Sequence, residues 1–270
     1  MTRLLQISDS HIVRPGRLAY GVVDTASALA DTVSTINRML ERITPVEMVL
    51  VTGDLTDFGQ PEEYARFREI MADLTLPYRV IPGNHDSREA LRTAFAGEGW
   101  MPARGPINWR ADLGGLTLLA LDSGVEGAPH GTLEPATLAW LDAELRGLGG
   151  RPVLVACHHP PVDLGLPPMD RQRLMEPGGL RALLDAYEGP KRLLCGHVHR
   201  FMVAQFGTTP VLSCPGTSHA VTLDMREQSP NSLTLEPGGM LLHDYREGFV
   251  SQLVPVGDFA GGYPFETPPA

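Results

Sequence analysis

Cysteine is scarce in this chain: three among 270 residues, an odd number. Cys157, Cys195 and Cys214 all lie inside apolar runs, the pattern of reduced, buried thiols in cytosol rather than of a disulfide framework. Cys195 shares strand parity with His197, which makes a ligand role conceivable, but a buried cysteine is ordinarily a small hydrophobe. Long apolar runs are also missing. None approaches the roughly 18 residues of a membrane span, so no membrane partner is expected. No signal peptide is visible, because the first strand candidate, Arg3 to Ser8, runs straight into a polar motif that cleavage would remove. A cytoplasmic protein is expected. Basic runs are absent, and the close pair Arg171 and Arg173 sits in a loop. A formal charge of −10 repels duplexes, so no nucleic acid polymer is expected as partner. With 43% hydrophobic, 20% charged and 6% aromatic residues, the rest is ordinary globular composition. The length suits one large domain, or one with an appendage.

Strand candidates are Arg3–Ser8, Met48–Thr52, Tyr78–Ile81, Leu116–Leu121, Pro152–Ala156 and Arg192–Leu194. Most are near-continuous apolar runs, as in strands buried on both faces. Between them lie helical patterns. From Thr25 to Ile43, residues Ala26, Leu29, Val33, Ile36, Leu40 and Ile43 form one stripe at helical spacing. Pro61 opens a second helix, with Glu62 and Glu63 in its first turn. Pro135 opens a third, and a fourth covers Pro177 to Tyr187. This alternation predicts an α/β core with parallel strands. After His199 the texture changes. Phe201–Phe206, Pro210–Ser213, Met240–Tyr245 and Phe249–Val256 read as short antiparallel strands, expected to form a second sheet packed on the first. Residues 222–239 lack periodicity and read as a functional loop, cap or oligomerisation segment. The expected organisation is a catalytic domain over 1–256 and an extended tail over 257–270.

Short polar motifs end these apolar runs: Asp9-Ser10-His11, Gly53-Asp54, Gly83-Asn84-His85-Asp86, His158-His159 and Gly196-His197-Val198-His199. Open α/β sheets place ligands at strand ends. Together the motifs supply enough Asp, Asn and His to ligate two metal ions. Asp9 and His11, two apart in extended chain, reach one side, as do His197 and His199. Alone, D-x-H is a weak signal that a capping Asp beside a polar His also explains. Asp54 can bridge two cations through its two oxygens. The Asn84 amide oxygen is an unusual but good ligand, although a turn Asn after Gly is the plainer reading. Strand parity lets only one of His158 and His159 face the site.

These motifs resemble those of the calcineurin-like metallophosphoesterases, D-x-H, G-D-x-x-D or N, G-N-H-D or E, a later His, and G-H-x-H. The resemblance covers about the first 200 residues. It implies an α/β fold, a sandwich of two mixed β-sheets flanked by helices (αββα). It implies one ion on Asp9, His11, Asp54 and His199, and a second on Asp54, Asn84, His158 and His197. The metals would be Mn, Fe, Co or Zn. Leu18-Ala19-Tyr20-Gly21, Gly59-Gln60-Pro61-Glu62-Glu63-Tyr64, His158-His159-Pro160-Pro161 and Pro215-Gly216-Thr217-Ser218-His219 are similar to the small bacterial class III phosphodiesterases, most of all the glycerophosphodiesterases. Ser/Thr protein phosphatases carry Arg where this chain has Phe58 and Glu where it has Asp86, which argues against a phosphoprotein substrate.

The expected chemistry is attack of a metal-bridging hydroxide on a small phosphodiester. Two dications against Asp9, Asp54 and one hydroxide leave a slightly positive site, suited to a monoanionic diester. The poor alkoxide leaving group calls for a proton donor. By family analogy this is His85, with Asp57 orienting it, although Asp57 also reads as a turn or cap residue. Asn84, Tyr20 and His219 are candidate substrate contacts, and buried structural roles explain Tyr20 and His219 equally well. A 3′,5′-cyclic nucleotide phosphodiesterase is the alternative reading, and an inactive scaffold of the same fold a more remote one. The edges of the short strands and the apolar C-terminus predict a homo-oligomer.

Overall fold

A computed structural model of the protein describes residues 1–266. The last residues of the expected tail, 267–270, lie outside the described ones. The elements run β1 (Thr2–Ile7), α1 (Thr25–Ile43), β2 (Met48–Val51), α2 (Pro61–Met71), β3 (Tyr78–Val80) and α3 (Arg88–Ala94). Next come β4 (Trp109–Leu113), β5 (Leu116–Leu121), α4 (Pro135–Leu148), β6 (Val153–Cys157), α5 (Pro167–Asp170), α6 (Gly178–Ala186) and β7 (Lys191–Cys195). The chain ends through β8 (Met202–Phe206), β9 (Thr209–Ser213), β10 (Ala220–Val221), β11 (Leu233–Thr234), β12 (Gly239–Tyr245) and β13 (Phe249–Pro255).

Two mixed sheets pack together, ordered β13-β12-β1-β2-β3 and β4-β5-β6-β7-β9-β8. Side-chain alternation explains why their inner strands are apolar throughout. Along β5 to β7, Leu118, Ala120, Leu154, Ala156 and Leu194 enter the core shared with Leu4, Leu5, Val49 and Val51 of the other sheet. Their neighbours Leu119, Leu121, Val153, Val155 and Leu193 face outward onto Leu141 and Leu145 of α4 and Leu180 and Leu184 of α6. The apolar stripe of α1 and residues Tyr64 and Phe67 of α2 cover the five-stranded sheet. Asp24 caps α1 by accepting from the Ser27 N–H.

The four strands expected after His199, seen as β8, β9, β12 and β13, do not build a sheet of their own. Strand β9 extends the six-stranded sheet parallel to β7, and β8 closes it antiparallel. Strand β12 pairs antiparallel with β1, and β13 forms the far edge beyond it. The expectation of a separate antiparallel sheet is therefore corrected: short strands of one texture were dealt to both existing edges, which periodicity alone does not reveal. Residues 222–239 contain β11, paired with β10 in a separate two-stranded ribbon. All three cysteines are buried and free. Among the described residues no helix is long and apolar enough to cross a membrane.

Candidate metal centre

Strands β1, β2 and β3 are mutually parallel, and so are β5, β6, β7 and β9. Their carboxyl ends deliver Asp9, His11, Asp54, Asn84, His158, His197 and His199 to one place. The backbone at Asp9, His11, Asp54, His197 and His199 lies at positive φ, between 42° and 71°. Side-chain-bearing residues rarely adopt this region, and such strain gathers at functional sites. Glycines make room beside them. A Cβ on Gly83 would collide with Asp54, and one on Gly196 with Ser8 and Asp9.

Donor atoms of Asp9, His11, Asp54 and His199, all buried, lie within 4.8 Å of one another. His11 Nδ1 donates to Asp57 Oδ1 at 3.0 Å, so His11 Nε2 carries the lone pair. That Nε2 faces His199 Nε2 at 3.2 Å, while His199 Nδ1 has no partner. Beside this quartet, His158 Nδ1 donates to the Thr52 carbonyl at 2.7 Å, which turns its Nε2 toward Asn84 Oδ1 and Asp54 Oδ2, both at 3.2 Å. The His197 ring is 5.1 Å from that of His158, and its buried Nε2 has no partner. Asp54 joins the two groups. Its Oδ2 lies 3.5 Å from His11 Nε2 and 3.2 Å from His158 Nε2, while its Oδ1 is held by the His85 N–H at 2.8 Å.

Buried imidazole lone pairs aimed at one another and at carboxylates, as at His11 Nε2 and His199 Nε2, fit divalent cations. The crowded donors also shift one another's charge. Burial pushes the Asp9 carboxyl up to about 6. Burial also raises Asp54, but the His158 and His85 charges outweigh it and hold Asp54 well below the usual carboxylate range. His158 goes the other way: burial lowers it, yet the Asp54 charge and hydrogen bond lift it to about 10. Burial, followed by the His158 charge, pushes His197 down to about 3.

A cavity of about 330 Å³ opens over these donors, with His11, Asp54, Asn84, His85, His197 and His199 in its walls. Tyr20 and His219 also line it. Tyr20 donates its hydroxyl to Asp57 Oδ1 at 3.0 Å, and the His219 ring lies 4.5 Å from that of His199. His85 reaches the cavity with Nδ1 bonded to the Asp57 carbonyl at 2.8 Å, whereas the nearest Asp57 carboxylate oxygen is 3.6 Å away. Asp57 therefore meets His85 mainly through its main chain, and its carboxylate is committed to His11 and Tyr20. His159 turns aside, its Nδ1 2.9 Å from Ser123 Oγ.

Sequence reasoning gave no role to four contributors. Asp86 is buried and accepts from the N–H groups of Leu55, Thr56 and Gly83 and from the hydroxyls of Thr56 and Tyr64, clamping the Asp54 turn to the Asn84 turn. Its place beside Asn84 and His85 was the available signal. Gln172 lines the cavity from the segment after α5, and Asn231 with Ser232 from the segment before β11. Nothing local marks Gln172, whereas Asn231 and Ser232 fall within residues 222–239, the segment expected to be a functional loop or cap.

The fold and the paired donor sets define a metal-dependent phosphoester hydrolase of the two-sheet sandwich class. The chain belongs to the calcineurin-like phosphoesterase family, whose profile matches residues 2–201. It is 36% identical over 97% of its length to a protein of Arcobacter nitrofigilis named a probable glycerophosphodiester phosphodiesterase, GpdQ, covering 96% of that protein. To the glycerophosphodiester phosphodiesterase GpdQ of Enterobacter lignolyticus it is 31% identical, over 97% and 94% of the two chains. It is 35% identical to the 3′,5′-cyclic adenosine monophosphate phosphodiesterase CpdA of Pseudomonas aeruginosa, over 79% of this chain and 75% of that one. The crystal structure of a dimetal phosphatase from Danio rerio shares the fold at a TM-score of 0.65 and 15% identity, covering 94% of this chain and 98% of that one.

Proposed function

We propose that this chain hydrolyses small phosphodiesters of the glycerophosphodiester type. Asp9, His11, Asp54 and His199 would hold one divalent ion, and Asp54, Asn84, His158 and His197 a second, drawn from Mn, Fe, Co or Zn. The observation that carries the reading is Asp54 Oδ2, a single oxygen within 3.5 Å of an imidazole nitrogen in each donor set. Two cations there would supply Lewis acidity and lower the pKa of a water. The protein's part is to hold the diester in the cavity and manage the proton. His85, whose Nδ1–H is held by the Asp57 carbonyl, would present Nε2 to the departing alkoxide and, as the doubly protonated imidazolium, give up its Nε2 proton and become neutral. The Asp57 carboxylate keeps His11 in the tautomer that frees Nε2. Tyr20 and His219 line the same cavity and would contact the diester there.

The 36% identity to the Arcobacter nitrofigilis GpdQ protein over 97% of the chain supports the glycerophosphodiester reading above the cyclic nucleotide one, whose relatives reach 35% over 79% of the chain and 31% over 94%. The test is kcat/KM with Mn²⁺ for a glycerophosphodiester panel against 3′,5′-cyclic AMP. Preference for the glycerophosphodiesters is expected; preference for the cyclic nucleotide would overturn the substrate assignment. The free, buried thiols support a reducing cytoplasm as its compartment. We also propose a homo-oligomer, supported by the edge position of β13, with its exposed Val250 and Leu253, and by exposed Phe259, Tyr263 and Phe265 in the tail.

A further inference from the structure

Beneath the metal donors, the core between the sheets contains one polar seam. Gln6, wholly buried on β1, donates its amide to Thr52 Oγ1 at 2.9 Å and to the Cys195 carbonyl at 3.0 Å. Its Oε1 is 3.0 Å from Nε2 of buried His243 on β12. His243 Nδ1 is 2.7 Å from Ser251 Oγ on β13, and Arg192 of β7 donates to that same hydroxyl and to the Phe249 carbonyl. The donors run in one direction: Arg192 to Ser251, Ser251 to His243, His243 to Gln6, and Gln6 to Thr52 and Cys195. Reversing the Gln6 amide would set its oxygen against the Cys195 carbonyl, so the orientation is determined. Only neutral His243 completes the chain, since Ser251 needs Nδ1 as acceptor.

The two acceptors of the Gln6 amide are telling. Thr52 lies two residues before Asp54, and its carbonyl fixes His158 Nδ1. Cys195 lies two residues before His197. The two belong to strand ends of opposite sheets.

We propose that Gln6 is a positioning residue: its amide braces the β2 end, whose Thr52 carbonyl holds His158, to the β7 end, which leads into His197, and so sets the spacing of His158 and His197 within the second donor set. The inference rests on the two-ion reading above. Apolar packing alone would hold the sheets together but leave their ends free to slide by fractions of an ångström, and a donor set tolerates little of that.

The test uses full-length protein, stripped of metal and titrated with Mn²⁺ by calorimetry. Three proteins are compared: wild type, Gln6→Leu and the double variant Gln6→Leu/His243→Leu. The double variant leaves no buried donor or acceptor of the Gln6–His243 pair unmatched, so it recovers stability that the single variant loses. We expect both variants to bind the second ion at least tenfold more weakly and the first within about threefold. A double variant with recovered Tm and wild-type affinity for both ions would overturn the brace. If Gln6→Leu does not fold, Thr52→Val, which removes only the hydroxyl, gives the same expected weakening. A crystal structure of the double variant reads the brace without any ion. A shift of Thr52 relative to Cys195 supports it, and unchanged strand ends refute it. Failure of wild type to bind two ions would instead strike the functional reading, and the crystallographic comparison would still decide the role of Gln6.

Discussion

Single atoms carry most of the chemistry at this site. His85 approaches the cavity with Nδ1–H tied to a carbonyl and Nε2 free, a geometry from which its imidazolium form can protonate a leaving group, as proposed. His85→Ala should lower kcat for alkyl diesters by about 10²-fold while both ions remain bound. The loss should shrink for bis(p-nitrophenyl) phosphate, whose leaving group needs no proton. Equal losses for both substrates would leave His85 a phosphate-holding role only. Buried histidines away from the donors carry a different signature. Burial, helped by the Arg192 charge, pushes His243 from its ordinary 6.5 to about 3. Between those values the unfolded chain binds a proton that the folded chain does not, so stability falls as pH drops below about 6.5. The contribution approaches about 1.4 kcal/mol per pH unit. Denaturant unfolding of wild type and His243→Gln between pH 7 and 4 should show the variant losing stability less steeply. Parallel slopes would mean that His243 does not titrate as its burial implies.

Elements matter through their ends. The donors with positive φ follow strands directly, and glycines absorb the close approach of neighbouring turns. Gly83→Ala would drive a methyl group into Asp54. Because Asp54 faces both donor sets, we expect this variant to lose affinity for both ions together while its far-UV circular dichroism stays native. Loss confined to one ion would contradict the shared position of Asp54. Helix α1 is legible in the sequence to both ends, because a long apolar stripe and an Asp cap agree. Strand β5 is equally legible as an unbroken apolar run. Helix α3 is not: it spans only seven residues and buries Leu91 alone. Strand β4 hides as well, since Arg110 and Asp112 interrupt its buried Trp109, Ala111 and Leu113. The donor residues are legible because metal chemistry restricts residue type and strand ends restrict spacing. Gln6 is not, because what matters in it is a set of partners far along the chain, Thr52, Cys195 and His243.

At the scale of the whole molecule, two sheets with five and six strands share a core, and their outer edges end at β13 and β8. The tail is anchored at its start, where the Gly257 N–H donates to Thr35 Oγ1 and the Gly257 carbonyl accepts from Arg38. Beyond that point it presents Phe259, Tyr263 and Phe265 to solvent. Apolar side chains so placed suit contact with a second copy. Light scattering should give more than one chain's mass for the full protein and a smaller mass for a chain ending at Pro255. A monomeric full-length protein at micromolar concentration would refute the assembly, and an unchanged mass on truncation would clear the tail of any part in it.

The shared carboxylate is the claim on which the site, the proposed reaction and the brace all depend. Anomalous diffraction from crystals grown with Mn²⁺ tests it directly. Two peaks roughly 3.5–4 Å apart are predicted, as in two-metal hydrolytic sites. Both should contact Asp54, one completed by Asp9, His11 and His199, the other by Asn84, His158 and His197. A single peak at full loading, or a second peak out of reach of Asp54, would contradict the account.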